Sequence, residues 1–222
     1  MVNGLSHYHL KHTPDVPINA PDVPATQHLT SRAMAKINKF IIEGLDRLGK
    51  STLVQNIQEH LGYFQVIHYG KPQTLNYYEE GAADSPDVKQ TVQQMYQMAC
   101  FRNMFKMLNT DGVRMILDRA HLGECVYSPI YRKYEGDYVY GMEELIADRD
   151  DIRLILLTED FSASKHFKDD GLSFDVSKRN QEQQLFIKAL FNSNIKDKRM
   201  ICVTGLNGEF RPEEDILREA LQ

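Results

Sequence analysis

The sequence has no C-x-x-C pair, no apolar run near the roughly 20 residues of a membrane span, no internal repeat of supersecondary size and no excess of positive charge. Its three cysteines, Cys100, Cys125 and Cys202, are odd in number and far apart, which argues for reduced thiols and against a disulfide framework or a zinc site. The formal net charge is −5, so no global basic field attracts a polynucleotide. A small anionic ligand needs only local cations and is not excluded. The N-terminus lacks the apolar core of a signal peptide. These absences predict a cytoplasmic protein with neither a membrane nor a polynucleotide partner.

What is present fits one α/β domain with a tail. The chain has 222 residues, and its 42% hydrophobic content is enough for a substantial core. Residues 1–36 stand apart. The stretch HTPDVPINAPDVPATQ repeats Asp-Val-Pro (Asp15-Val16-Pro17 and Asp22-Val23-Pro24), and its prolines block helix and sheet ladders, so we expect an extended or disordered tail. His7, His9 and His12 lie close together there and read either as a polar tail or as a metal site. The compact domain is expected over residues 37–222.

The most informative stretch is KFIIEGLDRLGKST, Lys39 to Thr52. An apolar run leads into Gly44-Leu45-Asp46-Arg47-Leu48-Gly49-Lys50-Ser51, which matches the phosphate-binding pattern G-x-x-x-x-G-K-[ST] at every defined position. The chemistry needs these residue types. Glycines let the backbone curl so that successive N–H groups face phosphate oxygens. The N-terminus of the following helix adds its positive dipole end. Lys50 is a point charge for the β- and γ-phosphates, and the Ser51 hydroxyl suits Mg²⁺. The pattern predicts a nucleoside triphosphate site formed by Gly44 through Thr52.

Strands are expected at about Lys39–Glu43, Phe64–Tyr69, Val113–Asp118, Asp151–Thr158 and Arg199–Thr204. Helices fill the intervals: from near Lys50 to His60, about Asp87–Asn109, around Glu143–Ala147, Lys178–Phe191 and Pro212–Leu221. Alternating strands and helices predict an α/β, P-loop NTPase fold with a five-stranded, mostly parallel sheet flanked by helices. Residues 159–177 are polar, poor in aliphatics and free of arginine, and read as a mobile lid offering only Lys165 and Lys168 as cations. The tyrosines of residues 120–140 are expected to line or cover a groove.

Arg47, inside the loop, is placed to act on charge that shifts during phosphoryl transfer; the competing reading is a surface arginine. Asp46 is an acceptor on the side of the loop away from the triphosphate. Asp118-Arg119 sets an acid beside a fixed cation at a strand end, where the acid can hold Mg²⁺ through water and the arginine can fork onto a phosphate.

Glu43 through Thr52 resembles the phosphate-binding loop of thymidylate kinases, and Asp118-Arg119 resembles their D-R-Y motif. The likeness is strongest for members carrying the catalytic arginine in the loop, in keeping with the arginine-free lid. Ala120 replaces the tyrosine of that motif, and HLGECVYSPIYRKY (residues 121–134) is more similar to phage-type deoxynucleotide kinases. The resemblance implies transfer of the ATP γ-phosphoryl group to dTMP with Mg²⁺, and a homodimer. It implies catalytic roles for Arg47, Lys50 and Asp118, and Mg²⁺ held by Ser51 and Asp118. It also implies that Asp46 contacts the acceptor 3′-hydroxyl, that Arg119 holds its phosphate, and that the Gly205–Asn207 turn borders the adenine. Lys71 is the nearest cation to a family arginine after the second strand. Arg102, an arginine in an otherwise apolar helix, is a candidate to read the base, or else a surface ion-pair partner. Tyr131 is a further acceptor candidate, as are His121, Glu124 and Arg132, unless His121 and Glu124 are ordinary loop residues. A deoxynucleoside kinase remains the alternative, with Glu43 as the base for a 5′-hydroxyl. A non-catalytic nucleotide switch is the third reading.

Overall fold

The computed structural model describes residues 37–70, 86–160, 175–205 and 208–222. The tail, Lys71, Asn207 and most of the expected lid (161–174) lie outside the described residues.

Five strands form one sheet: β1 (Lys39–Gly44), β2 (Gln65–His68), β3 (Met115–Asp118), β4 (Ile152–Thr158) and β5 (Asp197–Cys202). The spatial order is β2-β3-β1-β4-β5, and every pairing is parallel. Each residue of β1 and of β4 is buried, as strands covered by helices on both faces must be. That double burial is why KFIIEG and IRLILLT are nearly continuous apolar runs.

Among the described residues, six α-helices connect or flank the strands: α1 (Lys50–Leu61), α2 (Pro86–Leu108), α3 (Leu122–Tyr127), α4 (Tyr138–Met142), α5 (Arg179–Asn192) and α6 (Glu213–Leu221). A wide π-type turn, Ser128–Arg132, extends α3, and a tight 3₁₀ turn, Glu143–Ile146, follows α4 in place of a longer helix. α3 packs on α5, and α2 packs against α4.

Every strand departs from its expected bounds: β1 and β4 by one residue, β2 by one at each end, and β3 by a start at Met115 in place of Val113. β5 begins and ends two residues early. Its first residue, Asp197, is opposite Arg153 of β4 and takes that buried guanidinium at 2.7 Å. Past Cys202 the ladder gives one more bond, Val203 N–H to Thr158 O at 2.8 Å, and Thr204 then pairs antiparallel with Phe210. β2 is shorter than FQVIHY because it is an edge strand, and three of its four residues are exposed.

The sheet places the carboxyl ends of β1, β2 and β3 together. In register, Ile42 lies beside Asp118, and Asp118 beside His68. The loops leaving this edge build the candidate site, as is usual for open α/β sheets.

Candidate active site

The loop between β1 and α1 is set by two glycines. Gly44 has φ 136°, and a Cβ there would meet the Leu157 carbonyl oxygen at 2.5 Å, so only glycine passes beside β4. Gly49, at φ 77°, is the N-cap of α1 and makes no side-chain cap. The first-turn N–H groups are therefore left for an anion. Lys50 is 6% exposed. Its Nζ donates to the loop's own carbonyls, Gly44 O at 3.0 Å and Leu45 O at 2.5 Å. Burial, aided by the Arg119 charge, pushes its pKa down to about 8, although Asp46, Asp118 and Glu43 pull the other way. Ser51 and Thr52 are exposed at the start of α1.

Arg47 has φ 65°, unusual for a residue with a side chain. It lines a cavity of about 320 Å³, with Leu48, Thr52 and Asn56 on one side and Phe210, Arg211 and Ile216 on the other. The turn after β5 thus reaches this cavity through Phe210 and Arg211. The Gly205 N–H is spent within the turn, on Glu209 O at 2.8 Å.

Asp118 ends β3 and is 8% exposed. Its Oδ2 accepts the Nδ1–H of His68 at 3.0 Å, and its buried Oδ1 has no hydrogen-bond partner among the described residues. That oxygen is a hard donor of the kind Mg²⁺ takes, although among the described residues no group of three or more His, Cys, Asp or Glu stands together as a metal cluster. Arg119, at φ 66°, turns back to the loop: its N–H donates to Ile42 O at 2.9 Å, and its guanidinium meets Asp46 Oδ1 at 2.5 Å. Burial raises the pKa of Asp46, but Arg119 outweighs it and holds the carboxyl below the usual range.

Glu43 holds the two loops in this relation. It is 1% exposed, and its Oε1 accepts the N–H groups of Ala120 at 3.1 Å and Leu122 at 2.9 Å. Burial pushes its pKa up, against His121 and those backbone donors.

Sequence reasoning missed the contribution of α5. Arg179, its first residue, donates from Nε to Glu159 Oε1 at 2.5 Å and from a terminal nitrogen to Asp46 O at 3.0 Å. Glu182, three residues on and so on the same helix face, accepts the Tyr131 hydroxyl at 2.5 Å. Lys178 lies over the Tyr131 ring at 4.8 Å, and Tyr127 is tilted against it at 6.3 Å. Burial raises the pKa of Tyr127, as do the Glu182 and Asp46 charges, which places this tyrosine in the field of the cluster. The missed signal was an arginine two residues past the expected end of the lid, with a glutamate at i+3.

Other expected residues go elsewhere. Arg102 is exposed and makes no hydrogen bond or ion pair with described residues, so it is not the arginine in an apolar setting that the sequence suggested. Phe101 is core, whereas Gln97 of the same helix is 7% exposed. His121 is fully buried: its Nε2 meets Glu143 Oε1 at 2.7 Å, and its ring sits edge-on to Phe105 at 5.0 Å. Glu124 is 3% exposed and accepts the Tyr134 and Tyr138 hydroxyls and the Arg132 guanidinium. Both are framework residues, and Arg132 serves that framework.

Neither a protein-family model nor a curated protein sequence matches the chain. Among solved structures it is similar to the YorR protein of Bacillus subtilis in complex with phosphorylated GDP, at 17% identity over 81% of this chain and 91% of that one, with a TM-score of 0.54. Weaker likenesses are to thymidylate kinase from Candida albicans (18% identity, 82% and 88% covered, TM-score 0.48) and to deoxyadenosine kinase from M. mycoides (15%, 74% and 89%, 0.43). At such identities the likeness is one of fold. Sheet order, loop geometry and the YorR likeness together give this chain the P-loop NTPase fold.

Proposed function

We propose that the protein is a cytoplasmic ATP-dependent nucleotide kinase that moves the ATP γ-phosphoryl group to a deoxynucleoside monophosphate, dTMP in the first instance, giving dTDP. One observation carries the reading: Arg119 leaves the Asp-Arg turn to pair with Asp46 of the phosphate-binding loop. A guanidinium and a carboxylate, both about one-third exposed, satisfy each other where an acceptor carrying one phosphate and one hydroxyl would separate them. Arg119 would transfer to the acceptor phosphate as a bidentate donor, and Asp46 would accept the 3′-hydroxyl. A nucleoside lacks the anion that such an exchange requires.

On the donor side, Lys50 would leave the Gly44 and Leu45 carbonyls for the β- and γ-phosphates, and the first-turn N–H groups of α1 would complete the cradle. The cavity between Leu48 and Phe210 is the site proposed for the donor base. Arg47, on its wall, would meet the charge that develops on the transferring group. Ser51 and Asp118 would hold Mg²⁺, which when bound neutralises charge on the phosphate oxygens. Tyr127 and Tyr131 would wall the acceptor side. Glu43, the base required by the deoxynucleoside kinase alternative, is 1% exposed and ties the turn after β3 through Oε1, a structural role that accounts for its presence without a base.

The test is a coupled assay of ADP release over a panel of deoxynucleoside monophosphates and nucleosides. The reading expects ADP release that depends on a monophosphate acceptor. Turnover of nucleosides with none of monophosphates would replace it with the alternative.

A further inference from the structure

We propose that His68 is a positioning residue for Asp118, an inference that rests on the phosphoryl-transfer reading above. His68 is the last residue of β2, and in the parallel register it lies beside Asp118, the last residue of β3. The neighbouring Tyr69 N–H donates to the Asp118 carbonyl at 3.1 Å, so the two strand ends are tied at the backbone as well. His68 Nδ1 is 3.0 Å from Asp118 Oδ2. An ionised carboxylate only accepts, so Nδ1 carries the hydrogen in either charge state of the ring.

Its consequence falls on the other carboxylate oxygen. With Oδ2 held by His68, the Asp118 carboxyl cannot rotate freely, and Oδ1 is the oxygen left for a ligand. That oxygen is buried and has no hydrogen-bond partner among the described residues. A buried polar atom without a partner is costly unless something meets it in the working state. Asp118 is close enough to Lys50 to favour its charged form, which sets the carboxylate beside the phosphate-binding loop. The His68 ring, by contrast, is 54% exposed. With its histidine so open to solvent, the pair adds little to folding stability. Orientation of the carboxylate is the function that the geometry assigns to it. Partners that orient a metal-binding carboxylate typically matter by about 10–100-fold in affinity or activity.

Three substitutions separate this role from a bland surface contact. His68→Ala removes the donor. His68→Asn puts an amide N–H near the position of Nδ1, and His68→Gln puts one near Nε2. Turnover with ATP and the best monophosphate is measured alongside the affinity of Mn²⁺ for the enzyme complex with a non-hydrolysable ATP analogue. With His68→Ala we expect kcat to fall about 10–100-fold and Mn²⁺ affinity about tenfold, with acceptor KM and thermal melting unchanged. His68→Asn restores both to within about threefold, and His68→Gln restores neither. Wild-type kcat and Mn²⁺ affinity in His68→Ala overturn the proposal, as does equal loss in the alanine and asparagine variants or an effect confined to acceptor KM. If the wild-type protein turns over no acceptor, the functional reading fails, and Mn²⁺ affinity alone still decides the role of His68.

Discussion

Arg47 and Arg119 share a left-handed backbone, at φ 65° and 66°. Such conformations cost about 1 kcal/mol or more for a residue with a side chain and persist where the surroundings demand them. Both arginines lie at the phosphate-binding loop, whereas Lys133, which shares the conformation at φ 61°, ends the Ser128–Arg132 turn. Arg179 complicates the assignment of the catalytic cation, because it touches the same loop at the Asp46 carbonyl. If Arg47 meets the transferring group, Arg47→Ala lowers kcat by about 10²–10³ and changes ATP affinity little. Arg179→Ala then costs less. Steady-state kinetics of the two variants decide; a larger loss with Arg179→Ala moves the role to α5. Lys50 makes a prediction in pH. Its pKa is lowered by burial to about 8. The charged form binds phosphate, so nucleotide affinity is flat below pH 8 and falls as pH rises through it, by up to about tenfold per unit. Calorimetric titration from pH 7 to 9 reads this directly. Affinity independent of pH over that range would mean that Lys50 is not the anion-binding charge.

At the scale of elements, Glu43 joins β1 to the turn after β3. Glu43→Ala leaves the Ala120 and Leu122 N–H groups buried and unpaired, each costing about 1–3 kcal/mol. We therefore expect a lowered urea midpoint together with loss of turnover, because Asp118-Arg119 is no longer held against the loop. An unchanged midpoint would refute the clamp. How legible these elements were depended on where their stabilising partners lay. β1, its loop and β4 were readable because double burial writes an apolar run and the glycine positions write a motif. The ends of β5 were not, since they depend on the pairing of Arg153 with Asp197, 44 residues away. α2 misled for a related reason. The sequence reads it as an apolar helix carrying one arginine, yet Met95 is 65% exposed while Gln97 is buried, so residue type alone does not mark the buried face and Arg102 is not set among apolar neighbours. His121 and Glu124 sit beside the Asp-Arg motif but serve partners elsewhere in the chain, with Glu143 22 residues on. Arg179 and Glu182 entered the site only through the packing of α5 on α3.

The whole molecule is a parallel sheet whose carboxyl edge brings three loops and the start of α5 to one place. Among the described residues no helix is long and apolar enough to cross a membrane. The edge divides its work. Toward α6 lies the cavity bounded by Leu48 and Phe210, and toward α3 and α5 lies the cluster of Asp46, Arg119, Tyr131 and Glu182. The loop of Lys50 runs between them, so a donor and an acceptor would meet across it. The central claim is that the acceptor brings a phosphate. Its most direct measurement is ADP release by the wild-type protein with ATP and Mg²⁺ across all deoxynucleoside monophosphates and the matching nucleosides. Turnover with a monophosphate, dTMP foremost, and none with any nucleoside is the expected result. Turnover restricted to nucleosides would contradict it.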